Sequence, residues 1–149
     1  MQWINIHLLA LAALVARLVV IFVHDRVYHP DEIFQYLEQA HRLTFGYGYI
    51  PWEYRYGTRS WILPGFISGL LFVCRIFGVD DPAVYTTVVK VVFCILSVSL
   101  IYSVYIFARE IGGEAAGKLA AIFTCFWYEL VYFAHKPLPE LLSTYLIMA

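Results

Sequence analysis

The side chains that could do chemistry gather in one polar stretch, from His29 to Pro64, between long apolar runs. Asp31 and Glu32 stand side by side there, directly after His29 and Pro30. A carboxylate can accept a proton from a substrate hydroxyl as a general base. Acids in the first helical turn, after a proline at its first position, also stabilise a helix start. From the residues alone, a catalytic role and a capping role both remain open.

Aromatic side chains and two arginines follow the acids, with glycines that allow tight turns between them. The aromatic residues are Phe45, Tyr47, Tyr49, Trp52, Tyr54, Tyr56 and Trp61. Aromatic rings stack on the C–H faces of sugars, and they also settle at the headgroup depth of a bilayer. Arg55 and Arg59 carry guanidinium groups that suit phosphate oxygens. The segment is therefore either a surface for sugar and phosphate or an interfacial aromatic belt.

The composition places the chain in a bilayer. Of its 149 residues, 62% are apolar and 14% are charged, a balance unusual for a soluble domain. A formal net charge of −1 gives no basic footprint for nucleic acid, so lipid and membrane partners are expected. Cys74, Cys94 and Cys125 lie in apolar runs, away from His or Cys at metal-ligand spacing, which predicts no metal site.

The runs 3–23, 83–108 and 115–134 have the length and apolar character of membrane spans. Arg17 lies deep in the first run and is expected to face protein or water, because exposing a guanidinium to lipid costs at least ~2.5 kcal/mol. A structural ion pair and a direct substrate contact are both open roles for it. The connection 109–114 is the most cationic short link between spans, so the positive-inside rule places it in the cytoplasm.

Residues 24–82 are predicted to form a long first outer loop. A helix is expected from the acids to about Leu43, with Asp31, Gln35, Glu38 and Arg42 on one polar stripe. Such an amphipathic helix lies on the membrane surface.

The segment 61–77 is ambiguous. As a helix it rises only about 26 Å, and an early Pro-Gly pair shortens its regular part. We expect it to lie in the interface, with a further span as the alternative. A last apolar run, 141–149, is too short to cross a bilayer. It predicts that the chain is the N-terminal part of a longer polytopic protein, with a short interfacial tail as the alternative.

The motifs of the outer loop resemble those of a known enzyme family. They are HPDE at His29–Glu32, an acid and a histidine at Glu38 and His41, then FGYGY, WEY and RS before a proline, and later PLPE, which ends at Glu140. This pattern is similar to that of the GT-C mannosyltransferases of glycosyltransferase family 22, which extend N-glycan and glycosylphosphatidylinositol precursors. The enzymes that add the third mannose of glycosylphosphatidylinositol, and their bacterial relatives, look most similar.

The resemblance implies an all-α integral membrane fold. The chain would be the N-terminal portion of a GT-C polytopic helical bundle, whose long extramembrane first loop contains amphipathic and interfacial helices. It would be a multi-pass protein of the endoplasmic reticulum membrane in a eukaryote, or of the cytoplasmic membrane in a bacterium. The implied reaction transfers mannose, with inversion, from a polyprenyl- or dolichyl-phosphate sugar donor to a glycan or glycolipid acceptor, without a metal or other cofactor.

The resemblance also implies roles for individual residues. Similar enzymes place a catalytic base in the first outer loop, which matches Asp31, with Glu32 beside it. The substrate-binding candidates are His29, Glu38, His41, Trp52, Glu53, Arg55, Arg59, His135, Lys136 and Glu140. Among them, the arginines with His135 and Lys136 are candidates to offset charge on the leaving phosphate. Glu140 would share the outer face with Asp31 if 61–77 lies in the interface; a plain helix-start acid is the alternative.

Other classes of protein remain as alternatives. One is a non-catalytic polytopic membrane protein, such as a transporter or an assembly subunit. A transporter is expected to show broken helices with polar groups near the membrane midplane and an internal repeat, whereas this chain places its acids in a loop. Another is an inactive, truncated product.

Overall fold

The computed structural model describes residues 5–23 and 30–148, and the regular elements in these ranges are all helical. In chain order they are α1 (Ile6–Val23), a π-helical segment (Glu32–Leu37), α2 (Glu38–Phe45), α3 (Trp52–Arg55), α4 (Ile62–Ile76), α5 (Pro82–Phe126), α6 (Tyr128–Phe133) and α7 (Pro139–Ile147). The predicted all-α class is confirmed. By length and composition, α1 and α5 are apolar enough to cross a membrane, and the shorter α4 is also apolar.

The described residues form two compact units. The first comprises 5–23, 91–135 and 140–148, and the second comprises 30–90 and 136–139.

Helix α5, whose residues 91–126 belong to the first unit, consists of two helical limbs joined by a turn. Its backbone leaves the helical region at Gly113, with φ 79° and ψ −178°, a conformation that only glycine adopts readily. This point falls inside the predicted connection 109–114. The Glu114 carboxylate pairs there with Arg109 Nε at 3.1 Å and with Lys118 Nζ at 3.1 Å. The turn is therefore held by one acid between two cations.

The two limbs of α5 pack closely against each other. Ile101 of one limb and Ala121 of the other belong to a buried cluster that also contains Ala13 of α1. A Cβ atom at Gly117 would lie only 2.9 Å from the carbonyl oxygen of Tyr105. The absence of a side chain at Gly117 is what allows this approach.

Arg17 joins α1 to both limbs of α5. Its guanidinium, which is fully buried, donates to the carbonyl oxygen of Ser97 at 3.0 Å and to the Ser97 hydroxyl at 2.9 Å. It also donates to the carbonyl oxygen of Thr124 at 3.2 Å. Thr124 lies in the last turn of α5, where carbonyls lack intrahelical partners, because the backbone becomes extended at Trp127 (ψ 119°). Arg17 thus faces protein as expected, and these three partners are carbonyl and hydroxyl oxygens.

The break at Trp127 also changes the last predicted span. The sequence predicts one continuous run over 115–134, whereas the structure ends α5 at Phe126 and begins the short helix α6 at Tyr128. Apolar composition continues across Trp127, so it carried no signal of the break.

In the second unit, the helix that begins with the acids departs from regular α geometry. It is already helical at Pro30, the first described residue of this unit, and it ends at Phe45, beyond the predicted Leu43. Between these points the N–H of Glu38 donates to the carbonyl of Ile33, five residues back, which widens the turn. π-helical turns of this kind occur frequently at functional sites.

The polar side of this helix faces the interior of the second unit. Gln35 and Gln39 are buried, whereas Ile33 and Phe34 are 37% and 51% exposed. Gln35 of the predicted polar stripe is therefore turned toward protein, while Ile33 and Phe34 lie on the outside and Ala40 is buried.

The packing of the α5 limbs makes a testable prediction. Gly117→Ala places a methyl group against the Tyr105 carbonyl, and overpacking of this kind typically costs about 1–3 kcal/mol. The full-length protein in detergent should therefore unfold at a lower temperature. Gly69→Ala is the matched control, because it is also helical and has nothing within 4 Å of its Cβ position. Helix propensity alone favours alanine at both sites by about 1 kcal/mol, so equal stabilisation by both changes would contradict the close approach.

Candidate active site

The two adjacent acids lie in different environments. Glu32 is 3% exposed, and its Oε2 lies 3.4 Å from Nζ of Lys136, which is 1% exposed. Asp31 is only partly buried and stands at the start of the helix. A buried carboxylate that leaves its cation loses much of the energy that offsets its desolvation. Asp31 is therefore the carboxylate of the pair that a ligand can reach more easily.

Gln35 lies about one helical turn after Asp31 and connects this helix to α3. Its side-chain Nε2 donates to Oε1 of Glu53 at 3.2 Å, and its backbone carbonyl accepts from the Tyr54 hydroxyl at 2.7 Å. The Tyr54 ring packs edge-on against Trp61, with centroids 4.5 Å apart. Burial is the largest of the effects that raise the pKa of Tyr54 to about 12. The Tyr54 hydroxyl therefore stays protonated, as a donor, over the physiological range of pH.

Arg59 connects to the same helix through Tyr36, which follows Glu32 by about one turn. The exposed Arg59 side chain donates from Nη1 to the Tyr36 hydroxyl at 3.3 Å. Arg55 is also exposed, and the Trp52 side chain is 62% exposed. The second unit therefore presents a guanidinium that is tied to the acid-bearing helix and an indole available for contact.

Glu38 holds the loop that carries the glycines and aromatics. Its Oε1 accepts from the backbone N–H of Tyr49 at 2.9 Å. Gly48 beside it has φ 145°, and a Cβ there would lie 2.7 Å from the same oxygen. The buried Gln39 side chain adds hydrogen bonds from Nε2 to the carbonyls of Phe34 and Tyr49, both at 2.9 Å. Glu38 therefore already has a structural partner in this loop.

His41 belongs to an aromatic cluster. Its ring stacks on Phe45 with centroids 4.6 Å apart, meets Tyr47 edge-on at 4.9 Å, and lies 6.2 Å from Tyr85. These contacts anchor the end of α2.

The other predicted site residues divide between the units. His29 lies outside the described residues. His135 belongs to the first unit, where it is buried and meets Tyr132 edge-on at 6.2 Å. Glu140 also belongs to that unit; it is exposed in the first turn of α7. In the second unit the structure pairs Glu32 with Lys136, and it connects Glu53 and Arg59 to the acid-bearing helix through Gln35 and Tyr36. Glu38 instead bonds the loop at Tyr49.

Sequence reasoning did not assign site roles to Gln35, Tyr36, Gln39 or Tyr54, whose hydrogen bonds connect these residues. A signal for the glutamines exists, because they follow Asp31 at intervals of four on one polar stripe. Tyr54 and Tyr36 could not be distinguished from the many other aromatics.

Known proteins that are similar in sequence to this chain are mannosyltransferases. The Alg9-like mannosyltransferase family matches residues 8–149. GPI mannosyltransferase 3 of Drosophila melanogaster is 36% identical over 86% of this chain and 22% of its own length. GPI mannosyltransferase 3 of Yarrowia lipolytica is 39% identical over 47% of this chain and 14% of its own length. Mannosyltransferase APTG1 of Arabidopsis thaliana is 44% identical over 37% of this chain and 10% of its own length. No solved structure matches the chain.

The chain belongs to the Alg9-like mannosyltransferase family. This confirms the resemblance that the HPDE motif and its neighbours indicate. The chain spans 22% of the length of the Drosophila relative.

The hydrogen bond between Tyr54 and the acid-bearing helix can be tested by its removal. Tyr54→Phe leaves the Gln35 carbonyl without this donor, and a buried polar group left unsatisfied costs about 1–3 kcal/mol. We expect a lower unfolding temperature in detergent. Tyr56→Phe is the matched control, because its side chain is 78% exposed, and it should leave the temperature unchanged. Equal behaviour of the two variants would show that this hydrogen bond does not hold α3 to the helix.

Proposed function

We propose that the protein is a membrane mannosyltransferase in which Asp31 is the general base. The donor is a polyprenyl- or dolichyl-phosphate mannose, and the acceptor is a glycolipid. Family membership supports the reaction, and the names of the relatives favour a glycosylphosphatidylinositol acceptor. The observation that carries the assignment of Asp31 is the contrast with Glu32, which is buried beside Lys136.

One carboxylate is sufficient for this chemistry. The Asp31 carboxylate accepts the proton of the acceptor hydroxyl while the hydroxyl oxygen forms a bond to C1 of mannose. The bond between C1 and the phosphate oxygen breaks, and the lipid phosphate leaves with the electron pair. Attack from the face opposite the leaving group inverts the configuration at C1. A lipid phosphate is a good leaving group that needs little protonation, so a second acid is not required.

Neighbouring residues supply recognition in this proposal. Arg59 lies one hydrogen bond from the acid-bearing helix through Tyr36, and a guanidinium fork fits phosphate oxygens. Glu53 is only partly buried and is held by Gln35, and its carboxylate is a group that pairs with sugar hydroxyls. The exposed ring of Trp52 suits the C–H face of a sugar.

The membrane arrangement is also part of the proposal. Helix α1 and the two limbs of α5 are placed in the bilayer of a multi-pass GT-C bundle, with residues 24–82 as the long outer loop. The apolar helix α4 is 15 residues long, which favours a position in the interface. Glu140 is then on the same side of the membrane as Asp31, and the membrane is that of the endoplasmic reticulum if the protein is eukaryotic.

The role of Asp31 is tested by Asp31→Asn in the full-length protein. The amide keeps the shape but cannot take a proton, and loss of a general base typically lowers the rate about 10²–10⁴-fold. We expect transfer from a lipid-phosphate mannose donor to fall by that factor, with expression and unfolding temperature unchanged. Asp80→Asn makes the same chemical change at an exposed site of the second unit and should leave the rate unaltered. Transfer at the unmutated rate by the Asp31 variant would refute the assignment.

The role of Arg59 in donor binding is tested by Arg59→Lys. Lysine keeps the charge but not the planar fork, so the KM for the donor should rise about tenfold while the KM for the acceptor stays the same. Arg109→Lys is the control, because Arg109 is an exposed arginine of the α5 turn. A rise in the acceptor KM alone would assign Arg59 to sugar binding instead.

A further inference from the structure

Lys136 is the buried cation of the second unit that the mechanism above leaves unused. Its side chain is 1% exposed, and its Nζ lies 3.4 Å from the Glu32 carboxylate. Sequence reasoning assigned Lys136 to the leaving phosphate. A phosphate could reach this ammonium only by entering a buried ion pair, which would leave the Glu32 charge without its cation. The geometry therefore points away from donor binding.

The backbone around Lys136 suits a rigid anchor. Pro137 and Pro139 follow it and restrict φ, and Pro137 is itself buried. The N–H of Leu138 donates to the carbonyl of Lys136 at 2.9 Å, which closes a tight turn. Lys136 therefore presents its ammonium from a segment with little conformational freedom.

Fixing Glu32 also fixes the direction of Asp31. The two residues are consecutive on one helix, so their side chains leave the axis about 100° apart. An ion pair that holds Glu32 toward Lys136 therefore sets the rotation of the helix start. A rotation of this turn would move the Asp31 carboxylate away from the acceptor hydroxyl.

We propose that Lys136 is a positioning residue, which holds Glu32 in a buried ion pair and thereby aims the Asp31 carboxylate at the acceptor. The proposal rests on the proposed function, since it deepens the role of the same site. It assigns Glu32 a positioning role as well, and it removes Lys136 from the groups that contact the phosphate.

The test is a double-mutant cycle in the full-length protein, made of Lys136→Met, Glu32→Gln and the two together. The readouts are kcat and the KM of donor and acceptor. We expect each single change to lower kcat roughly 10²-fold, the effect of a small misplacement of a catalytic group, with both KM values unchanged. The double variant should lose about the same factor as one single variant, because residues that act as a pair are not additive.

A control cycle uses Lys118→Met and Glu114→Gln, an ion pair at 3.1 Å in the α5 turn whose side chains are 14% and 49% exposed. This pair should leave kcat and both KM values unchanged. If Lys136→Met does not fold, the double variant is compared with Glu32→Gln alone and should have the same kcat. Replacing both members avoids the uncompensated buried charge that destabilises a single variant.

Two results would overturn the proposal. Unmutated kcat in the folded double variant would show that the pair serves stability only. A raised donor KM in Lys136→Met, with losses that multiply in the double variant, would show that Lys136 contacts the phosphate. Failure of the proposed function itself looks different, because the unmutated protein would then transfer no mannose, or Asp31→Asn would keep full activity.

Discussion

The cost of removing charge from water is the constraint on which both units depend. In the second unit, the Glu32 carboxylate and the Lys136 ammonium are buried together, 3.4 Å apart. In the first unit, the buried Arg17 guanidinium is surrounded by the oxygens of Ser97 and Thr124. Each buried ion thus holds together segments that are distant in sequence, because separating it from its partners would leave a buried charge uncompensated and cost free energy. In the second unit these segments are the acid-bearing helix and the proline-containing turn that begins at Lys136.

The hydrogen bonds of the second unit also hold the acid-bearing helix in one position and orientation. Tyr54 donates to the Gln35 carbonyl, Gln35 donates to Glu53, and Arg59 donates to Tyr36. All of these bonds reach the π-helical segment, whose wider turns are frequent at functional sites. Asp31 stands at the start of this segment and is only partly buried. The proposed base needs a carboxylate that is accessible and held in direction, and these bonds fix the helix that carries Asp31.

Much of this architecture was predictable from local patterns. Apolar length identified α1 and α5, and the Pro30-Asp31 signal located the start of the acid-bearing helix. The π-helical turn was not predictable, because the interval from Asp31 to Gln35 fits an α-helix equally well. The break at Trp127 falls in an uninterrupted apolar run. The contact between Glu32 and Lys136 joins residues far apart in sequence, and no periodicity reports such a pair. The difference in burial between the adjacent residues Asp31 and Glu32 is therefore seen only in the structure.

The central claim is that Asp31 is the accessible carboxylate and Glu32 the sequestered one, and carboxylate labelling tests it most directly. The full-length protein would be treated with a water-soluble carbodiimide and an amine, and modification at each acid would be measured by peptide mass spectrometry with and without acceptor glycolipid. We predict that Asp31 is modified and that acceptor protects it, while Glu32 stays unmodified in both conditions. Modification of Glu32 as fast as Asp31, or no protection of Asp31 by acceptor, would contradict it.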